Sequence, residues 1–351
     1  MPLTILNVAY PYAPVGPDAV GGSEQILSAL DIGITCAGHH SVVVAQQGSQ
    51  TAGVLIAVNA HCGHITSEVR AWTAASCQHS IDEALRNFCI DLVHFHDMDF
   101  HLYHTPHSIP SLATLHLPAS WYPRKIWEQS YTTLQCVSHT QRKTLPSEWQ
   151  TAPVIANGVF REEAVLHLTR RNYALALGRI CAEKNFHAAL DAGTQAEIPV
   201  WIGGQVYPYR EHQSYFEQQI TPRLQHGHRF LGPLNASRKK RLLAAAKCLL
   251  IPSLAPETSS LVAMEALSTG TPVIAFPSGA LPEIIQHGIT GFLVHNQREM
   301  AAAIRHVHEI SSEGCQREAK ERFSQRRMIE EYLSLYAALV GRSNHAVRLV
   351  R

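Results

Sequence analysis

Two glutamates stand eight positions apart in PETSSLVAMEAL, residues 256–267. Residue types that cap helices occupy positions 258–260, directly before an apolar run, so we predict that a helix begins there. Glu257 then lies in the loop before the helix, and Glu265 lies about one turn inside it. Because a carboxylate accepts hydrogen bonds from neighbouring hydroxyls, this spacing suits a ligand with two hydroxyl-rich parts, such as a ribose and a hexose.

The backbone between the two acids predicts a site for an anion. The amides of Ser259, Ser260, Leu261 and Val262 fall at the start of the predicted helix, where N–H groups have no partner within the helix. A helix N-terminus of this kind binds anions, phosphate above all. The alternative interpretation is structural: one glutamate caps the helix and the other is a surface residue.

Two cations follow the strand that opens the second half of the chain. Arg179 and Lys184 lie in LGRICAEKNFHAAL, residues 177–190. Cations at the carboxyl end of a strand can neutralise a diphosphate. A lysine in the first turn of a helix opposes the helix dipole, so Lys184 is expected to have a compensating role. The alternative is that both are surface residues.

Short apolar runs alternate with helical patterns along most of the chain. Such strands predict parallel sheets covered on both faces, and two series of them predict two doubly wound, Rossmann-like α/β domains. Ligands are expected outside the carboxyl ends of the strands. The predicted strands are Leu3–Ala9, Ser41–Ala45, Val54–Val58, Asp91–His96, Ser111–His116, Leu134–Val137, Tyr173–Gly178, Pro199–Gly203, His228–Gly232, Cys248–Pro252, Thr271–Phe276 and Gly291–Val294. The predicted helices include Ser23–Ala37, Ile81–Cys89, His212–Gln225 and Leu261–Ser268.

Composition excludes several classes of function. The 351 residues include 29 Lys and Arg against 28 Asp and Glu, which argues against a nucleic-acid partner. The basic run at 238–241 is interpreted as a solvated helix turn, with contact to a membrane surface as the alternative. The eight cysteines form no CxxC pair, so we expect small buried side chains, Cys89 and Cys248 among them, in a reducing compartment. No apolar run reaches the ~18 residues that span a bilayer, and no signal peptide is apparent, so we expect a soluble, cytoplasmic protein.

Several signatures, in the correct order, resemble one protein family. GRICAEKN, FLGPL, LLIPSLAPETSSLVAMEALSTGTPVIAF and ALPEIIQHGITGFLV are similar to the donor-binding half of the retaining glycosyltransferases of family 4. GGSE at 21–24, TLHLP at 114–118 and NGV at 157–159 resemble their N-terminal signatures. The resemblance implies the GT-B fold, in which two Rossmann-like domains face each other across a cleft. We assign residues 1–158 to the N-terminal acceptor-side domain, 159–322 to the nucleotide-sugar domain, and 323–351 to a helix that crosses back in this fold.

In the second domain, the resemblance implies that the matching residues bind a nucleotide-sugar donor. Arg179 and Lys184 would neutralise its diphosphate, Glu257 would hydrogen-bond the transferred sugar, and Glu265 would hold the ribose. The donor-binding residues of this domain would be Gly178, Arg179, Lys184, Leu234, Ser259, Ser260, Leu261, Val262 and Glu265.

In the first domain, the resemblance implies contacts with both substrates. Gly21 and Gly22 would approach the donor phosphate and the acceptor, and His116 would meet the sugar near the reacting carbon. Asp97 and Trp121 are assigned to the acceptor side, although core packing or a loop anchor is the alternative for Trp121.

The resulting expectation is an enzyme that moves a hexose from a nucleoside diphosphate sugar, with UDP-glucose as first choice, to an acceptor hydroxyl with retention of configuration. His116, Arg179, Lys184 and Glu257 would be its catalytic residues, and no metal or other cofactor is expected. Thr258 and Ser259 stand where the family usually has a glycine and an aromatic residue, so donor preference is expected to be decided there. A non-catalytic nucleotide-sugar-binding module is an alternative.

The segment LVHFHDMDFH, residues 92–101, indicates a different chemistry. Asp97 and Asp99 after an apolar strand resemble the metal-binding DxD of the GT-A glycosyltransferases. With His94, His96 and His101 they could also form a hydrolase-type metal site. A metal-dependent transferase or hydrolase therefore stays open as a further alternative, against a loop that only lines the acceptor side.

Overall fold

The computed structural model describes residues 2–59, 65–128, 131–160 and 169–349, with side chains described as far as residue 342. Two compact units divide the chain: Met1–Asn157 together with Gln325–Arg351, and Gly158–Ser324. The first boundary lies one residue from the one drawn from the sequence. The C-terminal helix begins at Gln325 and belongs to the first unit.

Each unit is built on six strands whose side chains are mostly buried. Val, Ile, Leu and Ala dominate them, as expected for strands covered on both faces. In chain order the strands are β1 Thr4–Val8, β2 His40–Gln46, β3 Val54–Val58, β4 Leu92–Phe95, β5 Ser111–Leu115, β6 Thr132–Cys136, β7 Ala174–Leu177, β8 Val200–Gly203, β9 Arg229–Phe230, β10 Cys248–Ile251, β11 Val273–Ala275 and β12 Gly291–Leu293.

Helices separate most of the strands along the chain. The α-helices are α1 Gly22–Cys36, α2 Ser67–Asn87, α3 His139–Lys143, α4 Phe186–Gln195, α5 Arg210–Tyr215, α6 Ala236–Ala245, α7 Leu261–Ser268, α8 Leu281–Ile284, α9 Gln297–His306, α10 Ser312–Arg322 and α11 Gln325–Leu349. Helices α9 to α11 follow the last strand.

Both sheets are parallel and doubly wound. The strand order is β3-β2-β1-β4-β5-β6 in the first unit and β12-β11-β10-β7-β8-β9 in the second. The direction of winding therefore reverses between β1 and β4 and again between β7 and β10. At such a switch point the loops after the two strands leave toward opposite faces, which opens a crevice for a ligand. The expected fold class of two Rossmann-like sheets is confirmed.

Helix α2 and the α5 region differ from the predicted helices. Helix α2 begins at Ser67, whereas the prediction began at Ile81, because its buried stripe uses small and polar residues, among them Thr73, Cys77 and Ser80. The predicted helix His212–Gln225 is instead α5, a π-helical turn at Phe216–Ile220 and a 3₁₀ turn at Thr221–Arg223. Pro222 lacks a backbone N–H donor and so favours the end of the regular helix.

Helix α11 packs against the first sheet, and two of its tyrosines lie in a fully buried hydrogen-bond network there. Tyr332 and Tyr336 are completely buried, and the hydroxyl of Tyr336 lies 2.8 Å from Nδ1 of His94 on β4. The other nitrogen of His94 lies 2.8 Å from the Thr114 hydroxyl on β5. This network satisfies both ring nitrogens, which a buried histidine requires.

Candidate functional site

The two glutamates of the 256–267 segment are each paired with a lysine. Nζ of Lys184 lies 2.5 Å from Oε1 of Glu257. The Lys184 side chain is 27% exposed and that of Glu257 is 13% exposed, so the pair is largely withdrawn from solvent. Lys184 follows β7 and Glu257 follows β10, so the pair stands at the switch point of the second sheet.

Lys184 is not in the first turn of a helix, and that part of the prediction is wrong. It ends the 3₁₀ turn Ala182–Lys184, and α4 begins two residues later at Phe186. Between them Asn185 has φ +55°, a left-handed conformation that asparagine tolerates. The Asn185 side chain donates to the Pro252 carbonyl at 3.1 Å, which ties the β7 loop to the β10 loop.

The loop that carries Glu257 is held by backbone contacts on both sides. On one side the Leu254 amide donates to the Glu183 carbonyl at 2.8 Å. On the other side the Ala280 amide donates to the Glu257 carbonyl at 2.7 Å. Gly279 has φ +59°, and a Cβ there would lie 2.2 Å from the Glu257 carbonyl oxygen. Only glycine permits this close approach.

Helix α7 begins at Leu261, as the sequence predicted, but its start is not capped by a side chain. Ser260 occupies the N-cap position without a capping hydrogen bond, and the Ser259 hydroxyl is buried without a hydrogen-bond partner among the described residues. The prediction that these serines cap the helix is therefore wrong. The first amides of α7, those of Leu261 and Val262 included, have no partner within the helix, which is the anion-binding arrangement expected from the sequence.

Glu265 is bound from the neighbouring helix. Its Oε1 accepts a hydrogen bond of 2.6 Å from Nζ of Lys239 on α6. Its Oε2 is buried and has no hydrogen-bond partner among the described residues. Lys239 belongs to the basic run at 238–241, so the interpretation of that run as simply solvated is wrong at this position: its side chain is 19% exposed.

The remaining donor-side residues lie at the carboxyl ends of β7 and β8 or after β9. Gly178 has φ +151°. A Cβ on Gly204 would lie 1.8 Å from the carbonyl oxygen of Gly178, so the loops after β7 and β8 contact each other through these two glycines. Leu234 occupies space that a side chain on Gly203 would fill. Arg179 is exposed. Hydrogen bonding to its own backbone lowers the pKa of Glu183, and the charge of Arg179 adds to this effect.

Helix α1 of the first unit starts at the glycine pair. Gly21 is its N-cap residue and Gly22 is its first residue. A Cβ on Gly21 would lie 1.9 Å from Oε2 of Glu24, whose side chain folds back over the helix start. Glu24 is buried, and this burial raises its pKa. A side chain at position 21 would therefore displace the carboxylate of Glu24.

The segment 92–101, for which a metal site was the alternative, consists of β4 and the loop that follows it. Oδ2 of Asp97 accepts a hydrogen bond of 2.6 Å from the Tyr103 hydroxyl, and Oδ1 accepts one of 3.1 Å from the Asp99 amide. Burial raises the pKa of Asp97 to about 7. Among the described residues no three His, Cys, Asp or Glu side chains are placed to hold a metal ion, so His94, His96, Asp97, Asp99 and His101 do not form the proposed metal cluster.

The structure also locates His116, Trp121 and two of the cysteines. His116, placed directly after β5, is partly buried, and its Nε2 lies 3.1 Å from Nδ1 of His96 after β4. Trp121 is 48% exposed, which contradicts core packing for this side chain, whereas its neighbour Tyr122 is buried. Cys89 is exposed although burial was predicted, and Cys248 is buried.

Among the described residues no helix is both long enough and apolar enough to cross a membrane.

Comparison with known proteins shows which family the second unit resembles. Residues 161–327 match the family described as Glycosyl transferases group 1. D-inositol 3-phosphate glycosyltransferase of Nocardioides is 41% identical over 83 residues, 23% of this chain and 18% of that protein. The same enzyme of Geodermatophilus obscurus is 36% identical over 115 residues, 31% of this chain and 25% of that protein. The matched segments thus span a quarter or less of these relatives.

Solved structures resemble the whole chain. Sucrose-phosphate synthase of Thermosynechococcus elongatus has a TM-score of 0.80 at 18% identity over 97% of this chain and 99% of that one. AviGT4, a glycosyltransferase involved in avilamycin A biosynthesis, has a TM-score of 0.73 at 21% identity over 97% and 98%. Anabaena Alr3699/HepE, solved with UDP-glucose, has a TM-score of 0.73 at 17% identity over 96% and 100%.

The chain has the GT-B fold, and its segment 161–327, just under half of the chain, matches the glycosyl transferases group 1 family. The resemblance to a glycosyltransferase of the family 4 type is therefore confirmed. The positions of Lys184, Glu257 and Glu265 all fall inside the matched segment.

Proposed function

We propose that this protein transfers a hexose from a nucleoside diphosphate sugar to an acceptor hydroxyl with retention of configuration. One observation carries the proposal: the Lys184–Glu257 pair stands at the switch point between β7 and β10, beside the uncapped start of α7. A cation, a carboxylate and free helix amides at one place match the diphosphate and hydroxyl groups of such a donor.

Lys184 is proposed to hold the sugar-binding acid and the leaving diphosphate together. An ammonium group has three N–H donors, so the hydrogen bond to Glu257 leaves two for phosphate oxygens. Arg179, exposed at the end of β7, supplies a second cation, and the amides of Ser259 to Val262 supply further donors. Negative charge grows on the diphosphate as the glycosidic bond breaks, so fixed donors there stabilise the transition state more than the ground state.

Glu257 is proposed to accept hydrogen bonds from hydroxyls of the transferred sugar through the oxygen that Lys184 does not use. Glu265 is proposed to accept from the ribose through Oε2, because Lys239 occupies its Oε1. An acceptor oxygen that is buried and unpaired in the free protein gains a partner when a hydroxyl arrives, which favours binding. Leu234 and Gly178 would then border the donor.

In the first unit, Gly21, Gly22 and His116 are proposed to contact the substrates, and Asp97 and Trp121 are assigned to the acceptor side. UDP-glucose is the donor of first choice; the structural neighbour HepE was solved with this compound. The reaction is proposed to need no metal ion, because cations and amides of the chain can neutralise the diphosphate.

Calorimetric titration with UDP-glucose, GDP-mannose and ADP-glucose tests donor binding. A ligand that binds only the native state also raises its thermal stability, so a thermal-shift series gives an independent reading. Binding by none of the three nucleotide sugars would contradict the proposal. Binding without transfer to any of a panel of acceptors would favour a non-catalytic binding module. NMR of the product's anomeric proton tests retention, and activity in excess chelator tests metal independence.

A further inference from the structure

His96 and His116 occupy equivalent places at the carboxyl ends of neighbouring strands. His96 follows β4 and His116 follows β5, and the two strands pair in parallel. Nδ1 of His96 lies 3.1 Å from Nε2 of His116, and their ring planes differ by 22°. This distance is a hydrogen bond, so one of the two nitrogens carries a proton and the other accepts it.

Both rings are neutral near pH 7. Burial lowers the pKa of His116 to about 4 and lowers that of His96 well below its usual value. A neutral imidazole has one N–H and one acceptor nitrogen, so the direction of the hydrogen bond fixes the tautomer of both rings.

The surroundings of His96 decide that direction. His96 is 3% exposed, and its Nε2 is buried without a hydrogen-bond partner among the described residues. A proton on Nε2 would leave a buried N–H donor unpaired, and orphaned buried N–H groups are rarer than unfilled acceptors. The proton therefore belongs on Nδ1, from which His96 donates to Nε2 of His116.

The orientation of the His96 ring is itself fixed by the interior of the sheet. The ring of His94 lies on it with a centroid distance of 4.0 Å. His94 cannot rotate freely, because its nitrogens bind Tyr336 and Thr114 at 2.8 Å each. The donor atom of His96 is thus held in place by groups that are themselves fully buried.

We infer that His96 is a positioning residue that holds His116 as the Nδ1–H tautomer, so that His116 acts toward a sugar oxygen as a hydrogen-bond donor. The tautomer is inferred from the contacts of His96 and His94 alone. Its use on a sugar rests on the proposed function, in which His116 meets the transferred hexose.

The tautomer can be measured directly by long-range ¹H–¹⁵N correlation on protein with ¹⁵N-labelled histidine. The variant His116→Gln identifies the His116 signals by their loss. We expect Nε2 of His116 to show the shift of an unprotonated nitrogen and Nδ1 that of a protonated one. The opposite pattern in the unsubstituted protein would overturn the inference, whether or not any variant folds.

Two substitutions at His96 separate positioning from mere packing. His96→Asn keeps an N–H donor near the place of Nδ1, and His96→Leu removes it. We expect the Asn variant to retain the His116 tautomer and the Leu variant to shift it toward Nε2–H. An unchanged His116 signal in a folded His96→Leu protein would contradict the inference.

Kinetics test the use of this donor. His96→Leu should lower kcat by up to about 100-fold with little change in donor KM, and His96→Asn should restore most of it. A tautomer that shifts while kcat stays constant would refute the use of His116 on the sugar. If the protein binds no nucleotide sugar, the proposed function fails, but the NMR result still decides the tautomer.

Discussion

Nζ of Lys184 lies 2.5 Å from Oε1 of Glu257, although 73 positions separate them in the chain. The contact depends on the positions of two loops, one after β7 and one after β10, which are neighbouring strands. Removing one partner of a largely buried ion pair leaves the other with an uncompensated charge, so the two residues act as one unit.

Replacing Lys184 by alanine should lower kcat by about 100- to 1,000-fold, because a fixed donor to the leaving diphosphate is lost. Donor affinity should also fall, since Glu257 is then left unpaired near the bound phosphates. Steady-state kinetics and calorimetry check both effects. Lys320→Ala, an exposed lysine of the same unit, is the control and should change neither. Kinetics of Lys184→Ala that match the control would remove Lys184 from the mechanism.

Replacing Gly279 by alanine should displace Glu257. The left-handed conformation costs alanine about 1–2 kcal/mol, and the new Cβ would lie 2.2 Å from the Glu257 carbonyl oxygen. Gly288→Ala is a matched control, because Gly288 has φ +77° and a Cβ placed on it would have no other atom within 4 Å.

Both glycine variants should lose the stability that a left-handed conformation costs alanine, and Gly279→Ala should lose more because its Cβ also meets the Glu257 backbone. Urea unfolding measures both losses. Only Gly279→Ala should also lower kcat/KM, by about 100-fold if the Glu257 carboxylate moves by about 1 Å. An equal loss of activity in the two variants would show that the 278–280 contact does not position Glu257.

The sequence predicted all twelve strands of the described residues, because short continuous apolar runs bounded by turn signals are typical of buried strands. It did not predict the strand order, which depends on contacts between residues far apart in the chain. The family resemblance assigned Lys184 and Glu257 to one donor site, but it did not predict the switch point between β7 and β10 or the ion pair that the two residues form there.

The pairing of the acids was not predictable from local patterns. Glu257 and Glu265 were predicted to bind hydroxyl groups of a substrate. The two lysines that bind them come from other elements of the chain. Lys239 stands in a run of four basic residues, and nothing in the local pattern distinguishes it from the other three. The position of α6 beside α7 makes that distinction, because it brings Lys239 within 2.6 Å of Glu265.

Replacing Glu265 by glutamine should weaken donor binding without a matching loss of kcat. Glutamine keeps one acceptor for Lys239 but removes the charge that strengthens a hydrogen bond to a ribose hydroxyl. Such bonds contribute about 1.5–3 kcal/mol, so donor Kd should rise about tenfold to hundredfold.

Calorimetric titration of the nucleotide sugar checks the Glu265 prediction. Asp191→Asn is the control, because Asp191 also accepts from a cation, Arg223, at 2.8 Å in the same unit. A loss confined to kcat would place Glu265 near the reacting sugar instead of the ribose.

Replacing Asp97 by asparagine should change how stability depends on pH. Asp97 is 1% exposed, and burial raises its pKa from 3.8 to about 7. The folded protein therefore holds a proton that the unfolded chain releases above pH 4, so the stability from this group is present at low pH and is lost as pH rises toward 7. Asparagine has no proton to lose, but its oxygen can still accept from the Asp99 amide.

The free energy of unfolding of Asp97→Asn, relative to the unsubstituted protein, should thus increase between pH 4 and pH 7 and become constant above it. One proton limits the slope to about 1.4 kcal/mol per pH unit. The buried histidines titrate in both proteins and cancel in the difference. Urea unfolding at four pH values measures it, with the exposed Glu83→Gln as control. A difference that is flat over this range would show that Asp97 is ionised in the folded protein, and would reopen its role as a charged ligand.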